Sequence, residues 1–161
     1  MNAIKDPHQE FMHEAIRLAH TNLKKNAGGP FGCVIVKDGK ILARGSNSVT
    51  NLNDPTAHAE VVAIRKACRK LKTFQLNGCD LYCSCEPCPM CLGAIYWSRP
   101  SKVYFAASRK DAATAGFDDD FIYHEILIDL SVRKIPFEKL DDKEALALFA
   151  KWNEKPDKTR Y

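Results

Sequence analysis

Apolar residues in the first part of the chain recur at helical spacing. Phe11, Ala15, Leu18, Ala19 and Leu23 fall on one face after an Asp6-Pro7 start, and Gly28-Gly29-Pro30 stops the pattern. The run Phe31 to Val36 is apolar throughout, Asp38-Gly39 is a two-residue hairpin signal, and Ile41 to Ala43 returns. This predicts two adjacent antiparallel strands, the first covered on both faces. Val61, Ile64, Cys68 and Leu71 mark a second helix opening near Thr56, and Cys79 to Ser84 reads as a short strand running into Glu86-Pro87. Pro87 suits the first turn of a third helix, which carries Cys88, Cys91, Leu92 and Ile95 and ends before Arg99-Pro100. Lys102 to Ala107 makes a fourth strand.

Beyond Asp111, an alanine-rich stretch and Phe121 to Leu127 look helical, Val132 to Phe137 reads as a fifth strand, and Lys143 to Trp152 as a last helix. The polar segment Asn153 to Tyr161 reads as an extended tail. Strands alternating with helices predict a three-layer α/β/α domain around a mixed sheet of about five strands.

Composition narrows the class. With 161 residues the chain fits one domain, and its hydrophobic share of 45% and charged share of 27% are those of a globular protein. No apolar run long enough for a membrane span and no signal-peptide pattern appears, so a soluble, cytoplasmic protein is expected. The net charge of +4 is mild and its cations are scattered, so nucleic acid is an unlikely partner. Seven cysteines, four of them at positions 83, 85, 88 and 91, lie too close together for a secreted disulfide framework and favour metal binding in a reducing compartment.

The chemistry concentrates in His58-Ala59-Glu60 and Glu86-Pro87-Cys88-Pro89-Met90-Cys91. Cys88 and Cys91, spaced i, i+3, share one face of the third helix at its first turn, where the helix dipole favours thiolate. With the imidazole of His58 they make three ligands for Zn2+ and leave a fourth position open, the mark of a catalytic rather than a structural zinc. A water held there has its pKa lowered towards ~7. Glu60 lies two residues from His58, which on a regular helix would turn the two side chains to different faces, so both converge on one metal only if it sits beyond the helix start. Glu60 is then the carboxylate that carries the proton from water to a ring nitrogen. The combined signature is that of zinc-dependent nucleobase deaminases.

More specifically, the chain resembles the guanine deaminases of the cytidine-deaminase-like superfamily. The resemblance lies in Gly28-Gly29-Pro30-Phe31-Gly32, Asn47, Asp54-Pro55-Thr56-Ala57-His58-Ala59-Glu60, Cys85 to Cys91, Gly93-Ala94-Ile95-Tyr96-Trp97 and Ala115-Gly116-Phe117-Asp118-Asp119. It implies hydrolytic deamination of free guanine to xanthine and ammonia, in purine salvage or nitrogen supply, with one Zn2+ per subunit. It further implies that Phe31 and Trp97 enclose the purine and that Asn47 and the Ala59 backbone hydrogen-bond it. Asp119 would assist proton transfer to the leaving amine, and the terminal Tyr161 would reach an active site, its own or a partner's. A homodimer with exchanged C-terminal segments is the corresponding expectation.

Other readings remain open at this level. The same ligands serve tRNA adenosine deaminases, and guanosine or cytosine deamination uses the same chemistry. Cys83 and Cys85, on one side of a strand, could complete a four-cysteine structural site with Cys88 and Cys91, giving a zinc-stabilised interaction domain with no use for Glu60. Cys33, Cys68 and Cys79 read as packing residues, as do Cys83 and Cys85 when the site is catalytic.

Overall fold

The computed structural model describes residues 6–117, 119–140 and 142–161. Asp118, part of the resemblance above, lies outside them. The chain divides into two compact units, Met1–Asp120 and Phe121–Tyr161.

The first unit opens with α1 (Pro7–Lys24), whose start is fixed by the Asp6 side chain accepting from the His8 N–H and by Pro7 in the first turn. Strands β1 (Gly32–Lys37) and β2 (Lys40–Ser46) follow as an antiparallel pair, then a one-turn helix α2 (Val49–Leu52) that the apolar spacing does not announce. Next come α3 (Ala59–Leu71), β3 (Cys79–Cys85), α4 (Pro89–Ser98), β4 (Lys102–Ala107) and the short α5 (Arg109–Thr114). Sheet order is β2-β1-β3-β4, with β1 antiparallel to β3 and β3 parallel to β4, so α4 is the crossover that a parallel pair requires.

Why β1 is apolar without alternation is visible in its burial. Val34 and Val36 face the α1 side with Ala15 and Tyr82, while Cys33 and Ile35 face the other side with Leu81 of β3 and with Ala63, Ala67 and Ile95 of the α3 and α4 layer. This is the expected α/β/α layering. Helix α3 packs so closely on β2 that a Cβ on Gly45 would stand 2.1 Å from the Ala59 carbonyl oxygen.

The second unit contains most of α6 (Asp120–Leu127), a 3-10 turn at Leu130–Val132 and α7 (Lys143–Glu154). None of its described residues is buried. The predicted fifth strand is corrected here: among the described residues the sheet has four strands, and Val132 to Phe137 is turn and irregular chain. Pro136 has no N–H for a ladder, the Lys134 N–H donates to Glu125 Oε2 at 2.8 Å, and the Arg133 guanidinium lies over the Phe137 ring at 5.1 Å. The backbone and apolar groups that a strand would pair are thus used locally. The last helix runs two residues beyond the predicted Trp152, to Glu154. No helix among the described residues is long and apolar enough to cross a membrane.

Candidate active site

The site is assembled from two helix starts. Ahead of α3, the backbone N–H and hydroxyl of Thr56 both donate to Asp54 Oδ1, at 2.8 and 2.6 Å, closing a turn. The next residues are held by Ser48 N–H donating to Ala57 O and His58 N–H to Thr56 O. His58 is therefore the N-cap, in extended conformation (φ −68, ψ 157), and the helix begins at Ala59 rather than near Thr56. On the other side, Glu86 N–H donates to Ala107 O at 2.8 Å, and Glu86 Oε2 accepts from Arg109 N–H at 3.0 Å. The cysteine loop is thereby tied to the end of β4 and the start of α5.

Helix α4 begins at Pro89, not Pro87, so Cys88 is its N-cap and only Cys91 lies within its first turn. The two cysteines share one helix start rather than one helical face.

Nδ1 of His58 lies 3.6 Å from Cys88 Sγ, and donor atoms of His58, Cys88 and Cys91 all lie within 4.8 Å of one another. Tetrahedral zinc with ordinary Zn–S and Zn–N lengths sets its sulfur and nitrogen ligands about 3.6 Å apart. That separation, with a donor set of one imidazole and two thiols, fits one Zn2+ per subunit.

Electrostatics agree with ligation. The thiol of Cys91 and the imidazole of His58 hydrogen-bond to Cys88 and, against burial, bring its pKa down to about 4. The same Cys88 contact pushes His58 up. Cys91, fully buried, is pushed well up by its bond to Cys88 and by burial. Glu60, 8% exposed in the first turn of α3, is raised by burial and hydrogen-bonded to Cys91. Asp119 is also raised by burial, and its charge senses Cys88 and His58. Its Oδ1 is buried with no hydrogen-bond partner among the described residues, an acceptor with nothing to accept.

The structure thus brings together His58, Glu60, Cys88, Cys91 and Asp119. The four-cysteine alternative is not formed: Cys83 Sγ faces Cys33 Sγ at 3.8 Å across the β1/β3 pair, and Cys85 Sγ donates to Ser108 O at 3.6 Å. Ala59 occupies the first helical position, where the ladder offers its N–H no acceptor. Phe31 is half-buried with its ring edge-on to Phe117, centroids 4.8 Å apart, and Asn47 is buried. Trp97 stands on α4 at 63% exposure, and Tyr161 belongs to the second unit at 68% exposure. Sequence reasoning gave no role to Glu86 or Phe117, although both stand inside quoted motifs. The anchoring bonds that distinguish them leave no periodic trace.

The family model for the cytidine and deoxycytidylate deaminase zinc-binding region matches residues 5–107. The chain belongs to this deaminase family. The matched stretch contains all three donors and Glu60. The chain is 55% identical to the guanine deaminase of Bacillus subtilis over 96% of its own length and 99% of that relative's. The X-ray structure of guanine deaminase from that organism superposes with a TM-score of 0.93, covering 96% of this chain and 98% of that one. A tRNA-specific adenosine deaminase of Aquifex aeolicus is 48% identical over 62% of this chain and 66% of its own. Within the deaminase family, a solved guanine deaminase from Nitrosomonas europaea is 33% identical with a TM-score of 0.66, covering 73% of this chain and 68% of that one.

Proposed function

We propose that this chain hydrolyses free guanine to xanthine and ammonia. The observation that carries the reading is the reach of the likeness. The Bacillus subtilis guanine deaminase aligns over 96% of this chain, well past residue 107 where the zinc-binding region ends, whereas the Aquifex aeolicus tRNA deaminase aligns over 62%. The residues beyond the shared catalytic region side with the guanine relative.

The chemistry suits the groups present. Guanine carries its exocyclic amine on C2, an amidine carbon open to attack by water; a C–O bond forms, the C–N bond breaks, and ammonia leaves. His58, Cys88 and Cys91 would hold a Zn2+, which when bound supplies the Lewis acid that makes water nucleophilic at neutral pH. Glu60 takes the proton from the attacking water and passes it to the ring nitrogen N3. Asp119, whose Oδ1 meets no donor among the described residues, assists transfer of the proton of the new C2 hydroxyl to the amine, so that the C–N bond breaks with ammonia as the leaving group while C2–O becomes a carbonyl. Burial raises both carboxyls, bringing them nearer the working pH, where a proton carrier is most effective.

Phe31 and Trp97 would enclose the base, and the Asn47 amide and Ala59 N–H would hydrogen-bond it. The reading takes residues 1–161 as one deaminase domain working in the cytoplasm as a homodimer with exchanged C-terminal segments, Tyr161 reaching the partner's site. The unburied apolar side chains of the second unit support this, since large exposed apolar surfaces mark association. Ammonia release measured in parallel on guanine, guanosine, adenine, cytosine and a tRNA anticodon stem-loop tests it. Guanine should be the preferred substrate, and preferred release from the stem-loop would replace this reading with tRNA editing.

A further inference from the structure

Helix α1 buries an amide where its spacing calls for an apolar residue. Asn22 is 6% exposed, while Leu23 beside it is 55% exposed. A buried amide is tolerated only when its polar groups are met. Nδ2 of Asn22 donates to two backbone carbonyls, Gly29 O and Asn47 O, each at 2.8 Å. Neither acceptor belongs to α1; they lie on the two segments that deliver Phe31 and Asn47.

Those segments are joined to each other as well. Asn47 Oδ1 accepts from the N–H groups of Gly29 and Val49 at 3.2 and 3.3 Å. Asn47 N–H donates to Phe31 O at 3.1 Å, and Phe31 N–H to Gly29 O at 2.8 Å. Gly28, at φ +143, closes the set: a Cβ there would stand 2.5 Å from Asn47 O and 2.8 Å from its Oδ1. With Oδ1 occupied by two N–H groups, the Asn47 side chain offers Nδ2, a donor, to any ligand.

We infer that Asn22 is a positioning residue for base recognition. It touches no ligand, but fixes the Asn47 amide and the Phe31 ring so that a purine acceptor meets a donor and an aromatic wall already in place. The inference rests on the guanine reading above. A preorganised site lowers the ordering cost of binding. Its loss weakens ground-state and transition-state binding alike, raising KM and sparing kcat. His58, Glu60, Cys88 and Cys91 stand at the starts of α3 and α4, and the two Asn22 hydrogen bonds go to none of them.

The test is steady-state kinetics of the zinc-loaded full chain on guanine. Asn22→Leu keeps the shape without the donor and Asn22→Ser keeps one small donor; each is made alone and in an Asn47→Ala background. Loss of two hydrogen bonds predicts KM raised ~10-fold or more, kcat within ~3-fold of wild type and zinc retained. In the Asn47→Ala background the Asn22 change should raise KM by a smaller factor than alone, because the two act through one contact. Unchanged KM, a defect in kcat or zinc content instead, or equal factors in both backgrounds overturns the inference. If Asn22→Leu does not accumulate as soluble protein, Asn22→Ser decides by the same split. A wild-type chain inactive on guanine overturns the guanine reading instead, so the two failures are distinct.

Discussion

Glu60 follows His58 by two positions, and on one continuous helix their side chains would diverge by about 200°. The extended backbone of His58 removes that conflict, placing the imidazole before α3 and the carboxyl inside its first turn. Glu60→Gln keeps the shape and removes the proton carrier. It should retain zinc and lose at least ~10²-fold in ammonia release, measured with metal content on the same sample; native turnover would remove Glu60 from the chemistry. The metal donors and Glu60 were legible because their spacing is itself the signal. Asn22 and Glu86 were not, because a polar residue used to hold backbone looks in sequence like any other polar residue. Leu23 fits the apolar spacing of α1 yet stands exposed, and Asn22 beside it takes the buried place.

At the scale of elements, the sheet and its two helical layers followed from pattern, with Lys102–Ala107 recovered to the residue. What failed were places where local groups outcompete the pattern: the strand expected through Pro136, and the start of α4, where a second proline two residues on takes the first helical position. Close packing of α3 on β2 gives Gly45→Ala a stability loss of about 1–3 kcal/mol, because added volume forces the backbones apart; chemical denaturation reads it. Between α1 and β2, Glu14 accepts hydrogen bonds from Arg17 and Arg44, each at 2.6 Å, and the two guanidinium groups hold its carboxyl down at about 2. A depressed folded value means stabilisation present above the ordinary 4.5 and lost as pH falls from there towards 2. Denaturation midpoints should fall over that window, and Glu14→Gln should flatten the fall. A wild-type curve no steeper than that of the variant would deny the ion pair any part in acid stability.

For the molecule as a whole, the second unit poses the largest question of assembly. Leu127, Leu140 and Leu146 are each more than 70% exposed, and neither α6 nor α7 buries a residue. Light scattering should give twice the chain mass, and a stable monomer with full activity would end the exchanged-segment proposal. Deleting Tyr161 should lower guanine turnover and leave zinc in place; equal activity would leave the terminal ring without a role. Because the donors come from two separate helix starts, with Val61 of α3 packed on Cys88 and Cys91, chelation should lower the melting temperature. The cation is in effect a rivet between two helices of one layer. A cell short of zinc would then not store idle enzyme awaiting resupply: unpinned chains open more often and fall to proteases, so abundance itself follows the ion.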